Sequence, residues 1–192
     1  MCDPYGMGHA NMFSMTGKVA ASGNVNSLLE EDEETARTMS ITYRSYCFSR
    51  LFYNCTSLTK APELPAKTLT NSNYCYSRMF YGCTSLTKAP ELPATTLSNL
   101  CYLEMFYRCT SLTKAPELPA TTLGYKDYSK MFYGCSNLNY IKVGFTNWDP
   151  TTATEEWLPD NVGTFECPQE LIDNTTERTA NTVPPNWTMV AV

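Results

Sequence analysis

The chain has 192 residues, 43% of them hydrophobic and 17% charged, which is enough for one domain with a substantial core. A net charge of −5 and a pI near 4.9 leave no basic cluster to displace counterions from a phosphate backbone, so no nucleic-acid partner is expected. No run of about eighteen apolar residues occurs, so no membrane span is expected, and the opening MCDPYGMGHANMFSMTGK lacks the basic and apolar regions of a signal peptide.

In chain order, residues 1–45 are expected to form an N-terminal cap with an acidic loop. Its candidate strands are Asn11–Thr16 and Lys18–Ala21, split by Gly17 and followed by SGNVNSLL. A repeat array needs such a cover, because its first unit has no preceding neighbour. The block Glu30, Glu31, Asp32, Glu33 and Glu34 either attracts a cation or, as like charges favour, is a solvated loop.

Residues 46–143 are organised by a repeat. The string CTSLTKAPELPA at Cys55–Ala66 returns at Cys83–Ala94 and Cys109–Ala120, with offsets of 28 and 26 residues, and a degenerate fourth copy starts at Cys135. A fixed period in the twenties matches one coil of a leucine-rich repeat. The predicted fold class is therefore an α/β repeat: a leucine-rich-repeat solenoid with short parallel strands and short helices, capped at both ends.

Each copy opens with a segment of Tyr46–Cys55 type, in which Phe48, Leu51, Phe52 and Cys55 fall at i, i+3, i+4 and i+7. Tyr76, Met79, Phe80 and Cys83 repeat that spacing, as do Tyr102, Met105, Phe106 and Cys109, then Tyr128, Met131, Phe132 and Cys135. The pattern predicts four equivalent short helices, each too short to persist without its neighbours. Arg50, Arg78, Glu104 and Lys130, with Asn54, Gly82, Arg108 and Gly134, would form the solvated face. Between them recur Tyr53, Tyr81, Tyr107 and Tyr133, either a ladder for sugar rings or, as we favour, rings packed between coils with wet hydroxyls.

The strand of each coil should follow the second cysteine. In the fourth copy Leu138, Ile141 and Val143 fit L-x-x-L-x-L, whereas in the first Glu63 takes the third inward place. Pro62 and Pro65 remove backbone donors, so the strand should be brief, with Leu64 and then Leu69 turning inward and Glu63 facing water. Stacking then aligns Lys60, Lys88 and Lys114 in one column and Glu63, Glu91 and Glu117 in another. Either the columns neutralise each other or they form a striped surface for a repetitive ligand.

Nine cysteines need a role. The pairs Cys47/Cys55, Cys75/Cys83 and Cys101/Cys109 are eight apart, about 12 Å on a helix, beyond disulfide reach and outside zinc-ligand spacing. Packed thiols are expected, with cross-repeat disulfides or metal as the alternatives. The sole histidine, His9, lies in a Gly- and Met-rich segment, and no hydrolase, phosphate-loop or zinc motif occurs, so no catalytic residues, metal or cofactor are predicted.

From residue 144 the period is lost, and 144–192 are expected to be a C-terminal cap. Asp149-Pro150 should open a helix to Leu158, with strands at Thr164–Cys167 and Asn186–Val190. Trp148, Trp157 and Trp187 are an apolar plug or an exposed contact site.

The run MFYGCTSLTKAPELPATTL, Met79–Leu97, resembles the BspA-like leucine-rich repeat proteins of anaerobic gut and oral bacteria and of their phages. The likeness covers roughly Tyr46–Val143. It implies a non-enzymatic recognition module that binds a protein or glycan in adhesion at the bacterial cell surface, or alternatively a structural or receptor-binding part of a phage virion. The implied location is extracellular or virion-borne, within a larger assembly. The candidate binding residues remain the lysine, glutamate and tyrosine columns.

Overall fold

A computed structural model of the chain describes residues 17–28 and 41–192. The expected strand Asn11–Thr16 and the acidic block lie outside the described residues. Strand β1, Val19–Ala20, pairs in parallel with β2, Leu58–Lys60. A 3-10 turn, Val25–Leu28, follows β1, and the Val25 amide donates to the Glu63 carbonyl at 3.1 Å. Strands β3, Tyr140–Lys142, β4, Gly163–Cys167, and β5, Trp187–Ala191, make a second parallel sheet in chain order. Between the sheets, isolated parallel bridges join Lys60 to Lys88, Thr68 to Thr96 and Lys114 to Tyr140, so equivalent positions of successive copies lie side by side.

The expected helices are absent among the described residues of 46–143, and a chain of overlapping turns stands in their place. Every fourth residue is left-handed: Tyr46, Arg50 and Asn54, then Tyr74, Arg78 and Gly82, then Leu100, Glu104 and Arg108, then Lys126, Lys130 and Gly134. The amides alternate in their targets. Ser49, Leu51, Tyr53 and Cys55 donate three residues back within the copy, whereas Phe48, Arg50, Phe52 and Asn54 donate to Cys75, Ser77, Met79 and Tyr81 of the next. Copies two and three repeat the scheme: Phe80 donates to Met105 and Phe106 to Met131, at 3.0 and 2.9 Å.

A helix satisfies its amides internally; this arrangement sends half of them to a neighbour and so exists only as a stack. Apolar spacing cannot separate the two, because over about two turns a period of 3.6 and a period of 4 select the same residues. The left-handed positions coincide with the face expected to be solvated. Asn54, Gly82 and Gly134 are residue types that tolerate φ above zero, while Arg and Glu there carry strain of about 1 kcal/mol each.

The core consists of columns running through the copies. Phe52, Phe80, Phe106 and Phe132 stack at 5.5 Å between successive rings. Phe48, Tyr76, Tyr102 and Tyr128 form a second column at 5.6–5.9 Å. Leu58, Leu86, Leu112 and Leu138 are fully buried, as are Met79, Met105 and Met131. Leu64 and Leu69 are buried and Glu63 is exposed, so the chain jogs at Pro62 as its prolines require. The thiols of Cys83, Cys109 and Cys135 donate to the carbonyls of Phe52, Phe80 and Phe106 at 3.0–3.1 Å, which fixes that cysteine column by packing and hydrogen bonding.

Beyond Val143 the repeat letters vanish but the ladder continues. Tyr140 pairs with Thr164 and Gly163 with Trp187, a 24-residue step. The pairing needs backbone, not the KAPEL letters. The expected helix over Pro150–Leu158 is reduced to a 3-10 turn, Thr151–Thr154, because the carbonyls of Ala153, Glu155 and Trp157 accept from Tyr128, Lys130 and Phe132 of the preceding copy. A short α-helix, Gln169–Asp173, fills the stretch before β5.

Trp148, Trp157 and Trp187 are buried. Trp157 lies 5.9 Å from Phe165 and 6.2 Å from Tyr128, and its indole donates to the Thr182 carbonyl at 2.6 Å. The other two indoles donate to the Thr175 hydroxyl and the Pro159 carbonyl. With rings enclosed and donors satisfied, these tryptophans close the core instead of presenting a contact site.

Candidate functional site

Lys60, Lys88 and Lys114 are exposed, and so are Glu63, Glu91 and Glu117. The KAPEL letters put them there: Leu58 and Leu64 point inward, Pro62 between them offers no amide to a neighbouring strand, and the charged residues Lys60 and Glu63 are left outside. A groove of about 440 Å³ runs between the first two copies. Its floor is apolar, made by Ala61, Pro62, Pro65, Ala89, Pro90 and Pro93, and its rim carries Lys60, Lys88, Glu63 and Glu91. A second groove, of about 540 Å³, continues past Lys114 and Glu117 to Tyr140 and Lys142.

The fourth copy neutralises the end of both charge columns. The Lys114 ammonium sits 4.2 Å from the centre of the Tyr140 ring, and Glu117 accepts an ion pair from Lys142 at 3.0 Å. Tyr140 in turn donates its hydroxyl to Glu166 at 2.5 Å, and that hydrogen bond pushes its phenol up to about 12. Tyr140 and Lys142 are site residues that sequence reasoning passed over, although both replace the repeat letters in copy four. Among the described residues, Lys60, Lys88 and Glu91 have no ion-pair partner. These three side chains all line the first groove.

The left-handed face behaves in the opposite way. Arg78 makes a two-pronged contact with Glu104, at 2.9 and 3.1 Å, and Lys130 meets Glu156 at 3.2 Å. The glutamate and its neighbouring hydrogen bond hold the Arg78 guanidinium above its ordinary value. Arg50, Arg78, Glu104, Lys130 and Glu156 all occupy left-handed positions, and from Arg78 onward the signs alternate between layers.

Tyr53, Tyr81, Tyr107 and Tyr133 stack with centroids 4.6–5.0 Å apart and planes within 15°. Both faces of Tyr81 and Tyr107 are covered by the adjacent rings. A sugar needs an open ring face, so the interior of this ladder offers edges and hydroxyls instead of a platform. Tyr46 and Tyr74 add a parallel stack at 4.6 Å.

Among the described residues no cluster of three or more His, Cys, Asp or Glu side chains is placed to hold a metal ion, and no helix is long and apolar enough to cross a membrane. No family model, curated protein or solved structure matches the chain.

Proposed function

We propose that the chain is a BspA-like leucine-rich-repeat solenoid acting as a non-enzymatic recognition module, with the groove between its first two copies holding a protein or glycan partner at a bacterial surface. One observation carries this reading: two like-charged columns, Lys60/Lys88 and Glu63/Glu91, border an apolar floor of alanine and proline. At the spacing of paired strands, roughly 5 Å, each like-charge contact costs just under about 1 kcal/mol in water. On the left-handed face the same geometry is relieved from Arg78 onward by alternating signs. On the groove Lys60 and Lys88 have no such ion pair among the described residues, and a partner carrying acidic groups over the lysines would relieve their repulsion. Complementary charge of this kind acts on encounter rate and specificity.

The test is immobilised full-length protein probed against a panel of matrix proteins and bacterial surface glycans. For any binder found, Lys60→Glu with Lys88→Glu should weaken binding at least tenfold. Lys114→Glu, at a position already occupied by Tyr140, should change it much less. Equal affinity across wild type and the double variant would remove the groove from the binding surface.

A further inference from the structure

The two cysteine columns are chemically different. In the column of Cys55, Cys83, Cys109 and Cys135, the last three thiols are engaged with carbonyls. In the other, Cys47 and Cys75 approach each other, Sγ to Sγ, at 2.9 Å, inside the van der Waals contact of two sulfurs. They hold equivalent places in adjacent copies, 28 residues apart. The backbone between them is pinned by Tyr46 donating to Asn73 and Phe48 donating to Cys75, both at 3.0 Å. Rings stacked on either side, Tyr46 on Tyr74 and Phe48 on Tyr76, hold the same register. Backbones paired at about 4.8 Å fall within the Cα separation of about 4.4–6.8 Å that a disulfide accepts.

Access is asymmetric. Cys47 is half-buried and reaches the surface, whereas Cys75 and the next member, Cys101, are fully enclosed. We propose that Cys47 and Cys75 are a covalent modification site, an oxidisable dithiol that staples the first copy to the second. The site is independent of the recognition reading, because neither thiol lines the groove.

The oxidant is a small-molecule disulfide. The Cys47 thiol loses a proton and attacks one sulfur of the reagent, expelling a thiolate and leaving a mixed disulfide on Cys47. Cys75 then loses its proton and attacks the Cys47 sulfur, expelling the second thiolate. Two protein thiols become one disulfide, and the reagent is reduced to two thiols. Burial pushes the Cys75 thiol well above its ordinary value, so the second step should accelerate as pH rises.

The test uses the purified full-length chain, in a Cys2→Ser background, treated with oxidised glutathione and compared with a reduced control. Intact mass should fall by two hydrogen atoms, and peptide mapping should join the fragments carrying Cys47 and Cys75. Closing a loop of that length should raise Tm by roughly 5–10 °C. Cys47→Ser should abolish the bridge and the Tm rise, while Cys101→Ala should retain the bridge. A mixed disulfide that persists on Cys47, a bridge mapping to another cysteine, or a bridge with no change in Tm would overturn the proposal.

Discussion

The two long faces of the repeats are held together by different means. On the turn face, alternate amides cross to the next copy, aromatic rings follow at 5.5–5.9 Å, and charges such as Arg78 and Glu104 meet across layers. On the KAPEL face, contact between copies falls to isolated bridges at Lys60, Lys114 and Leu118, with grooves between copies and like charges aligned. The turn face therefore supplies the register that the KAPEL face borrows, and the KAPEL face is left with polar groups that do little for the fold.

Truncation should separate the faces most strongly. Phe106 is fully buried with Phe80 and Phe132 on its two sides, so Phe106→Ala should cost about 3–5 kcal/mol in urea unfolding. Lys88→Ala, exposed on the groove rim, should fall within about 0.5 kcal/mol of wild type. Comparable losses at both sites would erase the distinction.

Acidity tests the turn face in another way. Asp127 follows Cys47, Cys75 and Cys101 in their column, and burial raises its carboxyl to about 7, against the pull of the Gly124 amide, which donates at 2.6 Å. The folded chain then binds this proton more tightly than the unfolded chain, whose carboxyl titrates near 3.9. Its contribution is complete below about pH 4 and is lost as pH rises toward 7, a change on the order of 4 kcal/mol. Asp127→Asn should flatten the stability profile across that window. A wild-type profile with no decline there would place a charged carboxylate in the core without cost.

What could be read beforehand follows the same division. Identical letters at Lys60 and Lys88 or Thr68 and Thr96 mark equivalent places, and those residues do face each other. The prolines set the jog that buries Leu64 and exposes Glu63, because their effect on the backbone is local. The turn chain was not legible, since Phe48, Leu51, Phe52 and Cys55 satisfy a helix equally well over so short a span. Its signature was present nonetheless: Asn54, Gly82 and Gly134 recur where φ is positive, and they looked merely solvated. Nor did the letters after Val143 announce that β4 would pair with β3 and β5 with β4, because backbone pairing carries no residue code. On the groove, the lysine and glutamate columns were evident from the repeat, while their neutralisation by Tyr140 and Lys142 depended on the structure of the divergent copy.

A substitution on the turn face distinguishes the two backbones by the sign of a small effect. Arg108 has φ of 57° at the position held by Gly82 in the preceding copy and by Gly134 in the following one. Its amide donates to the Tyr133 carbonyl at 2.8 Å, a bond that glycine would keep. Its side chain is exposed: the stem lies over Gly134 of the next copy, and the guanidinium carbon is 5.5 Å from the centre of the Tyr107 ring. Arg108→Gly removes the left-handed penalty at a smaller cost in chain entropy, for a net gain of about 0.5–1 kcal/mol. In a helix the same change would lose about 1 kcal/mol. Glu104→Gly, at another left-handed position, should not show the gain, because it also removes the partner of Arg78. Urea midpoints measured at constant slope would read the sign directly, and destabilisation by Arg108→Gly would mean that the segment prefers right-handed helical backbone after all.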